Sequence, residues 1–108
     1  METISTYKIV VYVPSDYLSS FIQNVSPHIP SFLGAFDHVC WWSEPGTEQY
    51  RSLDGDKIEQ KPSHRIEIYL PEDNAFLNNF ISEIVVPNHP WDEPVITITT
   101  QKIVNHEK

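Results

Sequence analysis

Two side chains that bind soft metal ions, those of His38 and Cys40, lie two positions apart in the chain. On a β-strand such residues project from the same face, so both could approach one copper or zinc ion. A tetrahedral zinc site needs four ligands, however, and the chain has no Cys-x-x-Cys pair to supply the others. Because unpaired cysteines are commonly buried, the competing interpretation is that Cys40 belongs to the core.

An imidazole, an indole and two carboxylates lie close together in the segment His89-Pro90-Trp91-Asp92-Glu93-Pro94. Proline disfavours helix at the residue before it, so this segment is expected to be a stiff, extended loop. The candidate ligand-binding side chains are His89, Trp91, Asp92 and Glu93, and His89 is also a candidate metal ligand. The alternative is structural: Trp91 covers an edge of the core, and the prolines set the register of the last strand.

Arg51 lies in the longest connection between predicted elements, residues 44–61, and is one of only 7 lysines and arginines in the chain. Pro45-Gly46 and Asp54-Gly55 are turn-forming pairs on either side of it. Its guanidinium is a candidate to bind an anion. The alternative is that this connection is an extended hairpin arm that packs on a neighbouring subunit.

The elements that must position these residues form a unit that occurs twice. The segment Tyr12-Val13-Pro14-Ser15-Asp16 matches Tyr69-Leu70-Pro71-Glu72-Asp73, and the apolar helix positions that follow each segment also match. Each copy is predicted to be a strand, a helix and a second strand. The predicted strands are residues 7–13, 36–43, 65–70 and 95–100. The predicted helices follow Pro14 and Pro71 and end near Pro27 and Pro87.

Two βαβ units that share a sheet define the predicted fold class, an α+β ferredoxin-like βαββαβ sandwich. Its four-stranded antiparallel sheet carries both helices on one face. Alternation along the strands directs Lys8, Val10, Tyr12 and Tyr69 to the other, uncovered face. A large exposed apolar face is typical of an interface or a ligand groove, so self-association is expected. The alternative is a surface with scattered single aromatic residues.

Composition excludes several classes of protein. A chain of 108 residues favours one domain, residues 1–108, with a core spanning about 7–104. A formal net charge of −8 repels phosphates and anionic lipids, so neither a nucleic acid nor a membrane is an expected partner. The single cysteine and the lack of a signal-type start favour the cytoplasm. Without a Gly-rich phosphate loop, a Gly-x-Ser-x-Gly elbow or a His-Glu-x-x-His motif, the chain is not expected to be an enzyme.

Three segments resemble a known family: residues 7–14 (YKIVVYVP), residues 34–40 (GAFDHVC) and residues 89–94 (HPWDEP). Together they resemble the CutA/PII-like insert domain of YqfO-type proteins of the Nif-three family, over nearly the whole chain. The family motif usually reads His-Pro-Tyr-Glu-Glu-Pro, so Trp91 and Asp92 replace a tyrosine and a glutamate. Arg51 resembles the arginine that follows an aromatic residue in the family's loop. The resemblance implies a ferredoxin-like fold that commonly forms trimers, without the family's catalytic lobes.

The function predicted from these observations is a non-catalytic, PII/CutA-like module that assembles with copies of itself. A trimer is favoured and a dimer is the alternative, with a small ligand or a separate protein partner bound at subunit clefts. The alternative function is binding of a divalent metal ion, copper or zinc, by His38 and Cys40 or by the loop residues His89, Asp92 and Glu93. A divalent metal is also the only cofactor that the sequence suggests.

Overall fold

The computed structural model describes residues 1–31 and 34–106 of the chain. Its strands are β1 (Thr3–Pro14), β2 (Trp41–Trp42), β3 (Gly46–Tyr50), β4 (Glu59–Pro71) and β5 (Ile96–Val104). Its α-helices are α1 (Leu18–Val25) and α2 (Asn74–Asn79). A π-helical segment, Phe80–Val85, continues α2, and single 3-10 turns cover Ser15–Tyr17, Ser26–His28 and Val86–Asn88.

The strands form one antiparallel sheet in the order β2-β4-β1-β5, in which β3 also pairs with β4. The central strand β1 is therefore hydrogen-bonded to the first strand of the second copy and to the last strand of the chain. This is the strand order of two interleaved βαβ units. The predicted ferredoxin-like α+β fold is confirmed, with the second strand of that fold divided into β2 and β3.

Both helical regions begin directly after a strand that ends in proline, as the sequence predicts. At α2 the side chain of Asp73 accepts a hydrogen bond from the backbone N–H of Phe76 at 3.1 Å, which caps the helix. The region after Pro14 has no side-chain cap and opens with a 3-10 turn instead. None of the helices in residues 1–31 and 34–106 has the length and apolar character needed to cross a bilayer.

The core lies between the helices and one face of the sheet. Ile9, Val11 and Val13 are fully buried, which places Lys8 and Tyr12 on the opposite face because strand side chains alternate. We call that opposite face the open face. The buried apolar residues of the core are Ile9, Val11, Val13, Phe21, Val25, Ile29, Ile66, Ile68, Leu70, Leu77, Phe80 and Val85.

The predicted strand over residues 36–43 is wrong for most of its length. Only Trp41–Trp42 form a strand, opposite Glu67 and Ile66 of β4. His38 has a φ of 61°, in the left-handed region, and this conformation interrupts an extended path. The edge of the sheet continues instead through β3, in the connection for which an extended hairpin arm was one of two interpretations.

A β-bulge separates β2 from β3. Trp42 lies opposite Ile66, and Gly46 lies opposite Ser63, so the edge strand has one residue more than β4 over this stretch. The backbone N–H of Ser43 still bonds to the carbonyl of Arg65 at 3.0 Å, which places the extra residue at Glu44-Pro45. A proline fits here because the unpaired residue of a bulge needs no ladder hydrogen bond.

Beyond the bulge, β3 and the first part of β4 extend past the end of β1, whose last residue pairs with Ser63. We call residues 46–62 the arm. The molecule measures 57 × 28 × 23 Å, and its radius of gyration is 15.5 Å. A compact domain of this length has a radius of gyration of about 13 Å. The arm therefore makes the molecule elongated.

Candidate functional site

His89 is buried, and both of its ring nitrogens make hydrogen bonds within the chain. Nε2 donates to the carbonyl oxygen of Tyr12 at 2.7 Å, and the backbone N–H of Trp91 donates to Nδ1 at 3.0 Å. The ring also meets Phe21 of α1 edge-on, with a centroid distance of 6.2 Å. In this arrangement the imidazole is neutral, and neither nitrogen offers a lone pair to a metal ion. The geometry favours the structural interpretation, in which His89 anchors its loop.

Trp91 connects this loop to the arm. Its ring meets that of Tyr50, at the end of β3, edge-on at 5.6 Å, and it lies 5.8 Å from the ring of His89. Asp92 and Glu93 are exposed. In the part of the chain that the structure describes, neither carboxylate has a hydrogen bond or an ion pair, so both are available to solvent or to a ligand.

Arg51 does not join this cluster. Its Nη1 donates to the carbonyl oxygen of Gly55 at 2.7 Å and so closes the turn at the tip of the arm. The guanidinium is exposed, and its remaining donors point to no other residue among those described. Tyr50 and Arg51 are neighbours on the arm. Tyr50 contacts Trp91, whereas Arg51 lies at the tip of the arm.

His38 and Cys40 do not share a strand face, because the backbone between residues 34 and 40 is not extended as a strand. His38 is exposed, and its Nδ1 lies 2.7 Å from Oδ1 of the neighbouring Asp37. Cys40 packs against the core, and burial raises the pKa of its thiol. No group of three or more His, Cys, Asp or Glu side chains that could hold a metal ion occurs in residues 1–31 and 34–106.

His64 has a structural role that no sequence pattern indicated. It is buried on the helix-covered side of β4, where its Nδ1 donates to the carbonyl oxygen of Ser43 at 2.7 Å. The hydroxyl of Ser15 lies 2.9 Å from Nε2, which is left to accept the hydroxyl proton. The ring therefore fixes the start of the first helical turn against the bulge.

Charged side chains form a chain across the open face. Glu67 lies between two cations, with one carboxylate oxygen 2.9 Å from Nζ of Lys8 and the other 2.8 Å from Nε of Arg65. The hydrogen bond from Lys8, supported by that from Arg65, holds the pKa of Glu67 below its usual value. The bond to Glu67 in turn raises the pKa of Arg65. Two positive charges share one negative charge, so the network has a surplus of one positive charge.

A pocket of about 550 Å³ lies beside this network, where the bulge meets β4. Tyr12, Ser63 and Arg65 line it on one side, and Glu44 and Glu48 line it from the edge strand. Alternation along β4 directs Arg65 to the open face, but the bulge that shapes the pocket leaves no mark in the apolar pattern. This site was therefore not predicted from the sequence.

Comparisons with known proteins identify the fold. No protein-family model and no curated protein sequence matches the chain. Among solved structures, a Bacillus cereus protein related to NIF3 superposes with a TM-score of 0.74 and 21% identity over 94% of this chain. That overlap covers 27% of the Bacillus cereus protein, so the chain spans about a quarter of its length.

Two smaller proteins share the fold over most of their own length. CutA1 from Oryza sativa has a TM-score of 0.66 and 18% identity, over 95% of this chain and 85% of that one. GlnK of B. subtilis, solved as a complex with ATP, has a TM-score of 0.50 and 10% identity, over 90% of this chain and 82% of that one. The chain has the α+β fold of CutA proteins and of one part of a NIF3-related protein, as the resemblance implied.

Proposed function

We propose that the chain is a non-catalytic module that assembles with copies of itself, most simply as a trimer, and binds a small ligand or a partner protein at clefts between subunits. The observation that carries this proposal is the arm. A two-stranded hairpin is at best marginally stable when it stands alone in water. The arm projects past the end of β1, so a second copy is the natural surface for it to pack on.

Exposed apolar side chains at the tip of the arm support a contact there. Leu53 is 92% exposed and Ile58 is 59% exposed, although both are large and aliphatic. Single exposed apolar residues are common, but two at the end of one extended element are typical of a surface that is covered in an assembly. The open face adds Tyr12 and Tyr69, both partly exposed.

The loop 89–94 is the proposed border of the cleft. His89 holds this loop from inside, and the arm rests on it through Tyr50 and Trp91. Asp92 and Glu93 are exposed next to that contact. A second copy that packs on the arm would face these carboxylates and Arg51 at the tip, which makes them the proposed ligand-binding residues together with Trp91.

The test is the mass of the untagged protein at tens of micromolar, by native mass spectrometry and by light scattering after size-exclusion chromatography. We expect an oligomer, and we expect the double variant Leu53→Ser, Ile58→Ser to dissociate at concentrations where the wild type does not. Phe36→Ser is the matched control, because Phe36 is 76% exposed but lies outside the arm and the strands. A monomeric wild type, or equal dissociation of both variants, would contradict the proposal.

Binding of a divalent metal is the second candidate function. The one feature that favours it is the exposed pair Asp37 and His38, whose contact through Nδ1 leaves the other ring nitrogen open to solvent. Calorimetric titration with copper and with zinc tests it. Loss of affinity in the His38→Ala variant would support His38 as a ligand, and unchanged affinity would reject it.

A further inference from the structure

The pocket beside the bulge has the volume of a small-molecule site. Its volume of about 550 Å³ falls within the roughly 300–1,000 Å³ that such sites occupy. All of its lining residues belong to one chain, so it exists without the assembly proposed above and is separate from the loop 89–94. Its two walls are the edge strand around the bulge and the open face of β4.

Ser63 belongs to the wall of this pocket without offering its hydroxyl to a ligand. It is only 5% exposed, and its Oγ makes no hydrogen bond within the described residues and has almost no accessible surface. A ligand in the pocket therefore meets the side chains around Ser63.

The β4 wall carries the positive charge. Arg65 uses Nε for Glu67, and its Nη1 lies 3.5 Å from the hydroxyl of Tyr12, at the outer limit of a hydrogen bond. In the described part of the chain its other amino group has no partner. Because Lys8 also pairs with Glu67, that carboxylate does not neutralise Arg65 fully. A guanidinium with free, parallel donors is the group that best binds a carboxylate.

The edge-strand wall carries negative charge. Glu44 and Glu48 line the pocket, and neither has an ion pair or a hydrogen bond within residues 1–31 and 34–106. A purely anionic ligand would be repelled by these two carboxylates and by the net charge of −8. A ligand that carries an ammonium group as well as a carboxylate has a group of opposite charge for each wall.

We propose that this pocket binds a free α-amino acid. Its carboxylate bonds to Arg65 and to the hydroxyl of Tyr12, its ammonium group faces Glu48 and Glu44, and its side chain occupies the remaining space. An amino acid with an uncharged side chain has no net charge, so the acidic chain does not repel it. The carboxylate contacts lie on β4 and β1, whereas the ammonium contacts lie on the edge strand.

The proposal is tested by calorimetric titration with individual L-amino acids. We expect at least one to bind with a dissociation constant below about 1 mM. Its decarboxylated amine and its deaminated acid should each bind about tenfold more weakly or worse, because each lacks one charged contact. The variants Arg65→Gln and Glu48→Gln should each weaken binding by a similar factor.

Glu59→Gln is the matched control, since Glu59 lies on the arm opposite Tyr50 and does not line the pocket. Absence of binding by every amino acid, equal binding of the deaminated acid, or affinity unchanged in both charge variants would overturn the proposal. Native masses recorded on the same samples show whether assembly persists. A failure of this site is thereby distinguished from a failure of the proposed assembly.

Discussion

Replacing His89 with alanine separates a structural role of this residue from a role as a metal ligand. The change removes the donor to the Tyr12 carbonyl and the acceptor for the Trp91 N–H. Each buried group left without a partner costs about 1 kcal/mol or more. Loss of the edge contact with Phe21 costs about 1 kcal/mol in addition. We therefore expect His89→Ala to lower the free energy of unfolding by about 3 kcal/mol.

The assay is urea unfolding followed by tryptophan fluorescence, at one protein concentration and with a chelator present. In a domain of about 100 residues, 1 kcal/mol corresponds to about 4 °C or more in melting temperature. A thermal melt of the same samples should therefore show a decrease in melting temperature of at least about 12 °C. His28→Ala is the control, since His28 is exposed, and it should stay within about 0.5 kcal/mol of the wild type. A metal ligand, by contrast, would affect stability only when the metal is bound. If His89→Ala behaves like His28→Ala in the chelator, our account of this loop is wrong.

Three further predictions concern single residues. Asp73→Ala should cost about 1 kcal/mol in urea unfolding because it removes a helix cap, whereas Asp16→Ala, which removes no capping bond, should cost less than half of that. The lowered pKa of Glu67, due mainly to Lys8, gives stability that is present above the unfolded-state pKa of about 4.3 and is lost as the pH falls through the lower folded-state value. Urea midpoints between pH 3 and 6 should therefore fall less steeply for Glu67→Gln, and an equal slope would contradict this. Cys40 should react with iodoacetamide more slowly in the folded protein than in urea, because burial raises its pKa, and equal rates would show that the thiol is accessible.

The parts of the fold that bury one face were predictable from the sequence. Residues 7–13 lie within β1 and residues 65–70 within β4, because both segments alternate between core and open-face side chains. The apolar stripes after Pro14 and Pro71 became helical regions for the same reason. In each case the buried side chains recur in the sequence with the period of a strand or of a helix, and that period identifies the element.

The bulge could not be predicted in this way, and the arm was only one of two interpretations of the turn-forming pairs around Arg51. Residues 46–50 have no buried face, so their polar side chains carry no strand period. Phe36, Val39 and Cys40 are apolar, but residues 36–40 form no strand, because His38 adopts a left-handed conformation that no pattern of hydrophobicity reports. The pocket depends on the bulge, since the extra residue at Glu44-Pro45 moves the edge strand relative to Ser63 and Arg65. The candidate site was missed because its shape comes from backbone irregularity.

The two copies of the βαβ unit differ in length at the π-helical segment, Phe80–Val85. From Leu18 and Leu77 to Ile22 and Ile81 the apolar helix positions of the two copies correspond at one constant offset, and from Val25 and Val85 onward the buried positions correspond at an offset one residue larger. The helical region of the second copy is therefore one residue longer over this stretch, and the wider turn absorbs that residue.

The consequence concerns the effect of a deletion. Removing one residue from the interior of a helix normally rotates everything after it by about 100° and misplaces its buried side chains. Here, removal of the exposed Glu83 should convert the π turn into ordinary α-helix while Phe80 and Val85 stay in the core. We therefore expect the second helix to be a place where the chain can lose one residue and keep its fold.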